Sequence, residues 1–158
     1  MNESLSLIQT KRFVGGTAYL LRETFEGSLE GTPSAYLDRG VGFFATLDNI
    51  SAEQASKDHF GTTVAAQTEH AKFYLDRLCE YMNGRTEEVN WEDSWLIERV
   101  NEGEWNALRQ SVRAAYQNAL ICLAQEREWT EMQIGMALGL LAHSAYHLGA
   151  IRQIAKTI

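Results

Sequence analysis

The stretch LLAHSAYHLGAIRQI, residues 140–154, decides how the rest of the chain is read. It holds two of the four histidines, His143 and His147, in a segment without proline whose apolar residues recur with a helical rhythm. Four residues advance an α-helix by about 400°, so the two imidazoles differ by about 40° and lie on one face, a turn apart. Met132, Met136, Gly139, Leu140, Ala150, Ile151, Ile154 and Ile158 share that face, which is the stripe an amphipathic helix turns toward its core. Both imidazoles are expected to point inward. A buried neutral imidazole needs either a metal such as zinc, nickel, copper or iron, or hydrogen bonds for both ring nitrogens. On the pair alone, both readings stand.

The other segments predict the walls around this helix. Helix one is expected from about Ser4 to Gly27, with Leu5, Ile8, Val14, Ala18, Leu21 and Phe25 near helical spacing. Gly15 and Gly16 fall in its middle, and the apolar rhythm continues through them, so a close backbone approach is expected there rather than a bend. From Leu29 to Asn49 the pattern loosens. Thr32-Pro33 reads as the cap and first residue of a short helical turn, and Phe43, Phe44 and Leu47 as apolar anchors, in a crossover that either roofs a pocket or covers one end of the core. Ser51-Ala-Glu-Gln54 is a capping-box signature, interrupted by Gly61. Helix two reads from Thr62 to Met82, ended by Asn83-Gly84, with Gln67, His70 and Tyr74 on one face.

After a capping Asn90, Trp91 and Trp95 stand one helical turn apart and read as packing anchors for a bundle end. Helix three is expected from about Glu102 to Gln125, with Trp105, Leu108, Val112, Ala115, Ala119 and Cys122 facing inward. Helix four starts near Thr130 and carries the opening stretch to the C-terminus. No alternating strand pattern, internal repeat or low-complexity tail appears. The fold class is therefore all-α, a four-helix bundle with a long crossover between helices one and two, in one domain, 1–158.

Composition bounds the function. A formal charge of −7 without a Lys/Arg cluster argues against nucleic acid and anionic membranes as partners. Glu3 stands where a secretion signal needs positive charge, and no stretch approaches the roughly eighteen apolar residues of a membrane span, so a cytoplasmic protein is expected. Cys79 and Cys122 show no metal-ligand spacing and read as small buried thiols of a reducing compartment.

His70, near the middle of its helix, is the natural third partner for His143 and His147, because helices of a small bundle run side by side. Three histidines on two facing helices give a site with open positions for water or substrate, the arrangement of a catalytic metal. His59 lies about 16 Å further along a continuous helix and would line a pocket mouth without sharing the ion. Metal-activated water would need a carboxylate base, for which Glu69 and Glu80 are the close candidates, Glu69 standing about 100° off the face of His70.

The run GTTVAAQTEHAKFYLDRL, the WEDSW followed by EWNALR, and above all AHSAYHLGAIRQI resemble the DinB/YfiT-like family of four-helix-bundle proteins over nearly the whole chain. The family pattern has one histidine on its second helix and a His-x3-His on its fourth, matched by His70, His143 and His147. The resemblance implies one divalent metal ion, nickel or zinc, and a homodimer. Its members with assigned activities are mostly transferases joining low-molecular-weight thiols to electrophiles, beside a thiol-dependent isomerase. Others are called metal-dependent hydrolases, and a non-catalytic metal-binding bundle is the third expectation. Gln67 stands where some relatives place a further histidine. Gln67, Tyr74, Tyr146 and Arg152 are the polar residues near the motif expected to orient substrate or water; the last two are equally placed to face a neighbouring helix or a partner copy.

Overall fold

The computed structural model describes residues 2–28, 31 and 33–158, with side chains in the first helix from Thr10 onward. Among them the chain is helical throughout, without strands: α1 (Asn2–Glu26), α2 (Phe43–Asp48), α3 (Ala52–Ala55), α4 (Val64–Met82), a 3-10 turn (Trp91–Trp95), α5 (Glu102–Ala124) and α6 (Glu131–Ala155). The four long helices pack as a bundle. α4 lies against both α5 and α6, and α1 closes the ring against α6 and α5. Trp105, Tyr116, Phe25, Phe43 and Leu21 are among the largest side chains fully buried between them.

Local chemistry sets the ends of the helices that matter for function. The Thr63 side chain accepts from Ala66 N and starts α4, while its own hydroxyl donates to Glu98 O at 2.9 Å and ties the segment after the 3-10 turn over the start of α4. Thr130 and Gln133 form a capping box that starts α6, and Ser51 with Gln54 and Asn101 with Glu104 do the same for α3 and α5.

Several expectations need correction. A Cβ on Gly15 or Gly16 would meet nothing within 4 Å, so no backbone approaches them. The close approach is at Gly42, where a Cβ would stand 2.6 Å from Gly27 N. Met132 is 72% exposed, whereas Leu140, Ile151 and Ile154 are buried as expected. The side chains of Leu5 and Ile8, and Thr32 as a whole, lie outside what the structure describes. After Pro33 the chain makes bends rather than a helical turn, and the carboxylate of Glu23 on α1 gathers it, accepting from the backbone N–H groups of Ala35, Tyr36 and Leu37. The apolar anchors Phe43 and Leu47 belong to a helix, α2, and both are buried. Finally, α6 is long and apolar enough to cross a membrane by length and composition, against the expectation that no stretch approaches this; a third of its most apolar window is buried in the bundle.

Candidate metal centre

The inward face of α4 meets the inward face of α6 at the three histidines. His70 Nε2 stands 3.1 Å from His143 Nε2, and His147 Nε2 stands 3.2 Å from that same atom. All three ligand atoms lie within 4.8 Å of one another. The three histidines are therefore close enough together to hold one metal ion.

The outer nitrogens show which protons the rings carry. Ser94 donates its hydroxyl proton to Trp91 O at 2.6 Å, so at 2.7 Å it accepts from His70 Nδ1–H. Gln67 donates through Nε2 to Thr62 Oγ1 at 3.0 Å, which turns its Oε1 toward His147 Nδ1–H at 2.6 Å. With Nδ1 protonated, a neutral imidazole has a bare lone pair on Nε2. Two lone pairs thus converge on His143 Nε2, which has at most one proton to offer. His143 Nδ1 is itself buried without a hydrogen-bond partner.

This arrangement fits a cation better than it fits a closed hydrogen-bond network. Nitrogens about 2.0–2.1 Å from one ion stand about 2.9 Å apart at right angles and about 3.4 Å apart in a tetrahedron, which brackets the two separations from His143 Nε2. Burial favours the neutral rings. It lowers the pKa of His70, and together with the neighbouring imidazoles it holds His143 down to about 3 and His147 to about 4. All three are uncharged at neutral pH, the form that ligates metals.

Aromatic plates fix the rings. Trp95 stacks on His70 with centroids 3.9 Å apart, and Tyr74 stacks on His143 at 3.6 Å. Trp91 in turn covers Tyr74 at 4.6 Å. The two tryptophans expected as anchors for a bundle end therefore stand against the site. Tyr146 meets His147 edge-on at 5.0 Å and is 72% exposed, so it borders the site on its solvent side. Arg152 is half-buried in the last turn of α6 and about 140° around the helix from His147, away from the cluster.

Ser94 is the residue that sequence reasoning missed, and Trp95 is the one it placed at a bundle end instead of on His70. The signal was present in WEDSW, where a small hydroxyl next to a tryptophan follows a capping Asn90, but nothing local says that a 3-10 turn will lean on α4. The carboxylates weighed as bases stand elsewhere: Glu69 Oε2 accepts from Ile97 N at 2.6 Å, and Glu80 pairs with Arg77 and Arg85. His59 lies beside Thr157, with its Nδ1 3.2 Å from the hydroxyl, outside the cluster. A cavity of about 610 Å³ adjoins the site, with Gln67, Trp95, Thr62, Glu98 and Arg99 in its walls. No described residue of the crossover from Leu29 to Asn49 lines it.

No family model, no curated protein and no solved structure matches this chain.

Proposed function

We propose that the chain is a divergent DinB/YfiT-like protein that binds one divalent ion, nickel or zinc, through the Nε2 atoms of His70, His143 and His147, and uses it to activate a low-molecular-weight thiol for transfer to an electrophile. The observation that carries the reading is the convergence of three Nε2 atoms, two of them with lone pairs fixed inward by Ser94 and Gln67. When bound, the ion supplies Lewis acidity that holds a thiol as thiolate near neutral pH.

The chain's own groups do the rest. Ser94 and Gln67 hold two rings in one tautomer and orientation, so that no reorganisation is needed when a ligand arrives. Trp95 and Tyr74 clamp the ring planes and exclude water from two sides. His70 and His143 are only half-buried, which leaves a side for substrate. The thiol reading is favoured over metal-assisted hydrolysis because the two carboxylates weighed as general bases are engaged in other bonds. It is favoured over a closed, non-catalytic site because the protein offers three donors and no fourth among the described residues.

The test is elemental analysis of untagged protein, then titration of nickel- or cobalt-loaded protein with small thiols. One equivalent of metal and a sulfur-to-metal absorption band that saturates with thiol are expected; metal uptake with no spectral response to any thiol would remove the transferase reading. Gln67→Ala is expected to weaken metal binding about 10–100-fold by freeing the His147 ring, measured by competition with a chromophoric chelator. Unchanged affinity in that variant would show that the ring is held by packing alone.

A further inference from the structure

The outer face of α6 is left uncovered by the described residues, although it is apolar. From Met132 to Ile151 the helix contains no Asp, Glu, Lys or Arg on any side. Leu140, His147 and Ile151 turn into the bundle. On the opposite side Gly135, Leu138, Ala142, Tyr146 and Gly149 are all exposed, within about 80° of arc over about four turns of helix. A surface helix ordinarily carries charge on its outer side, and a continuous apolar stripe there is the mark of an interaction surface.

The stripe is complementary to itself when reversed. Around Ala142 it repeats in side-chain size from either end: Gly135 and Gly149 stand at equal distances from it, and so do Leu138 and Tyr146. Two such helices laid antiparallel, with the two Ala142 residues level, set Leu138 beside the partner's Tyr146 and glycine beside glycine. The backbones can then approach closely where the side chains are smallest. The charges that bound the stripe agree with this direction. Glu131 begins α6 and Lys156 follows its end, and both are exposed. The antiparallel arrangement brings Glu131 within about 4.5 Å, measured along the axis, of the partner's Lys156. A parallel one would set like charges against each other at both ends and align the two helix dipoles.

We propose that the outer face of α6 is the two-fold interface between two copies of this chain, paired antiparallel about Ala142. The axis that exchanges the copies stands perpendicular to both helices and closes the assembly at two. A lipid surface is the poorer occupant, because helices that lie on membranes border their apolar face with Lys and Arg, and this chain has a formal charge of −7. A membrane span is poorer still, because the inner face of α6 carries His147, whose ring is bonded to Gln67 inside the bundle. The pairing also reaches the histidine site. Tyr146 lies edge-on to His147, and the partner's Leu138 covers it, so that each copy walls the solvent side of the other's site. The interface itself does not rest on the metal reading.

The experiment is analytical sedimentation of the full, chelator-washed protein, so that failure to pair and failure to bind metal are read separately. One helix pair makes an interface at the small end of the specific range, and conversion from monomer to dimer is expected between about 1 and 100 µM. Ala142→Glu sets two carboxylates on the two-fold axis and is expected to stay monomeric throughout that range with unchanged helicity, since the position is exposed and Glu is a good helix former. Cysteine cross-linking reads the direction independently of that variant, with wild type as the control because Cys79 and Cys122 are buried. Ala142→Cys is expected to cross-link to itself on mild oxidation, and Gly135→Cys to Gly149→Cys when the two are mixed. Gly135→Cys alone, about 21 Å from its own counterpart along the axis, is expected not to. A monomer at every concentration, a dimer that Ala142→Glu leaves intact, self-cross-linking of Gly135→Cys in place of the mixed pair, or a monomer that sediments with zwitterionic phospholipid vesicles would overturn the proposal.

Discussion

Replacing His143 with alanine is expected to abolish stoichiometric metal binding, lowering affinity by at least about a hundredfold, while leaving the metal-free protein as helical and nearly as stable as wild type. The two halves of this expectation come from the same geometry. His143 Nε2 is the atom shared by both short contacts, so its loss removes a donor from the centre of the set. In the metal-free protein that atom faces two lone pairs and can satisfy only one of them, while its Nδ1 has no partner at all. Removing a half-buried ring in that situation takes away an unsatisfied polar group together with the packing on Tyr74, and the two changes oppose each other.

A hydrogen-bonded core histidine would behave in the opposite way. Its removal would destabilise the protein by about 1–3 kcal/mol and leave its response to metals unchanged. Urea unfolding of wild type and His143→Ala, each with and without nickel, separates the cases. Stabilisation by nickel in wild type and none in the variant supports the ligand assignment; a large loss in the metal-free variant with nickel still bound tightly would make His143 a structural residue. His147→Ala is the companion measurement, with a larger stability loss expected because His147 is 3% exposed and grips Gln67.

The helical spacing of His143 and His147, the caps at Thr130, Ser51 and Asn83-Gly84, and the shared face of Gln67, His70 and Tyr74 were legible because each depends on residues within a turn or two of one another. The role of Gln67 follows from that face: one turn before His70 on α4, it reaches the ring of His147 on α6. The readings that failed depended on where distant segments land. Gly15-Gly16 looked like a contact point since nothing local distinguishes a glycine under another helix from one beside a cavity. Cys79 and Cys122 are buried free thiols, as their apolar neighbours suggested, but that two residues 43 apart are neighbours follows only from α4 packing on α5. Glu23 gave no signal at all, for a glutamate on a helix is ordinarily solvated, and the donors that make its burial tolerable belong to a segment read as loose.

That glutamate carries the second large effect: Glu23→Ala is expected to lower stability by about 2–3 kcal/mol, and Glu23→Gln by about half as much. Glu23 is 4% exposed, and its carboxylate accepts from Leu37 N at 2.8 Å, Tyr36 N at 3.1 Å, Ala35 N at 2.9 Å and the Ser34 hydroxyl at 2.6 Å. Three successive N–H groups aimed at one anion form a concave nest, and they fix the crossover that carries the chain from α1 to α2. Burial by itself would raise the pKa of this carboxyl. The bonds from Ser34, Leu37, Tyr36 and Ala35 outweigh it and hold the group at about 2, against 4.5 for an unperturbed glutamate. Between those values the unfolded chain binds more protons than the folded one. The stabilisation is therefore complete above about pH 4.5 and is lost as pH falls through about 2. Glutamine keeps the shape and one acceptor oxygen but turns an N–H₂ toward the nest, and it does not titrate. The stability difference between wild type and Glu23→Gln should accordingly be constant from pH 7 to 5 and shrink steadily below that, measured by urea unfolding at each pH. Taking the difference removes the acid destabilisation common to both proteins, including that of the buried histidines, which must charge as pH falls. A difference that stayed the same down to pH 2 would mean that the charge of Glu23 contributes nothing and that its shape alone holds the crossover.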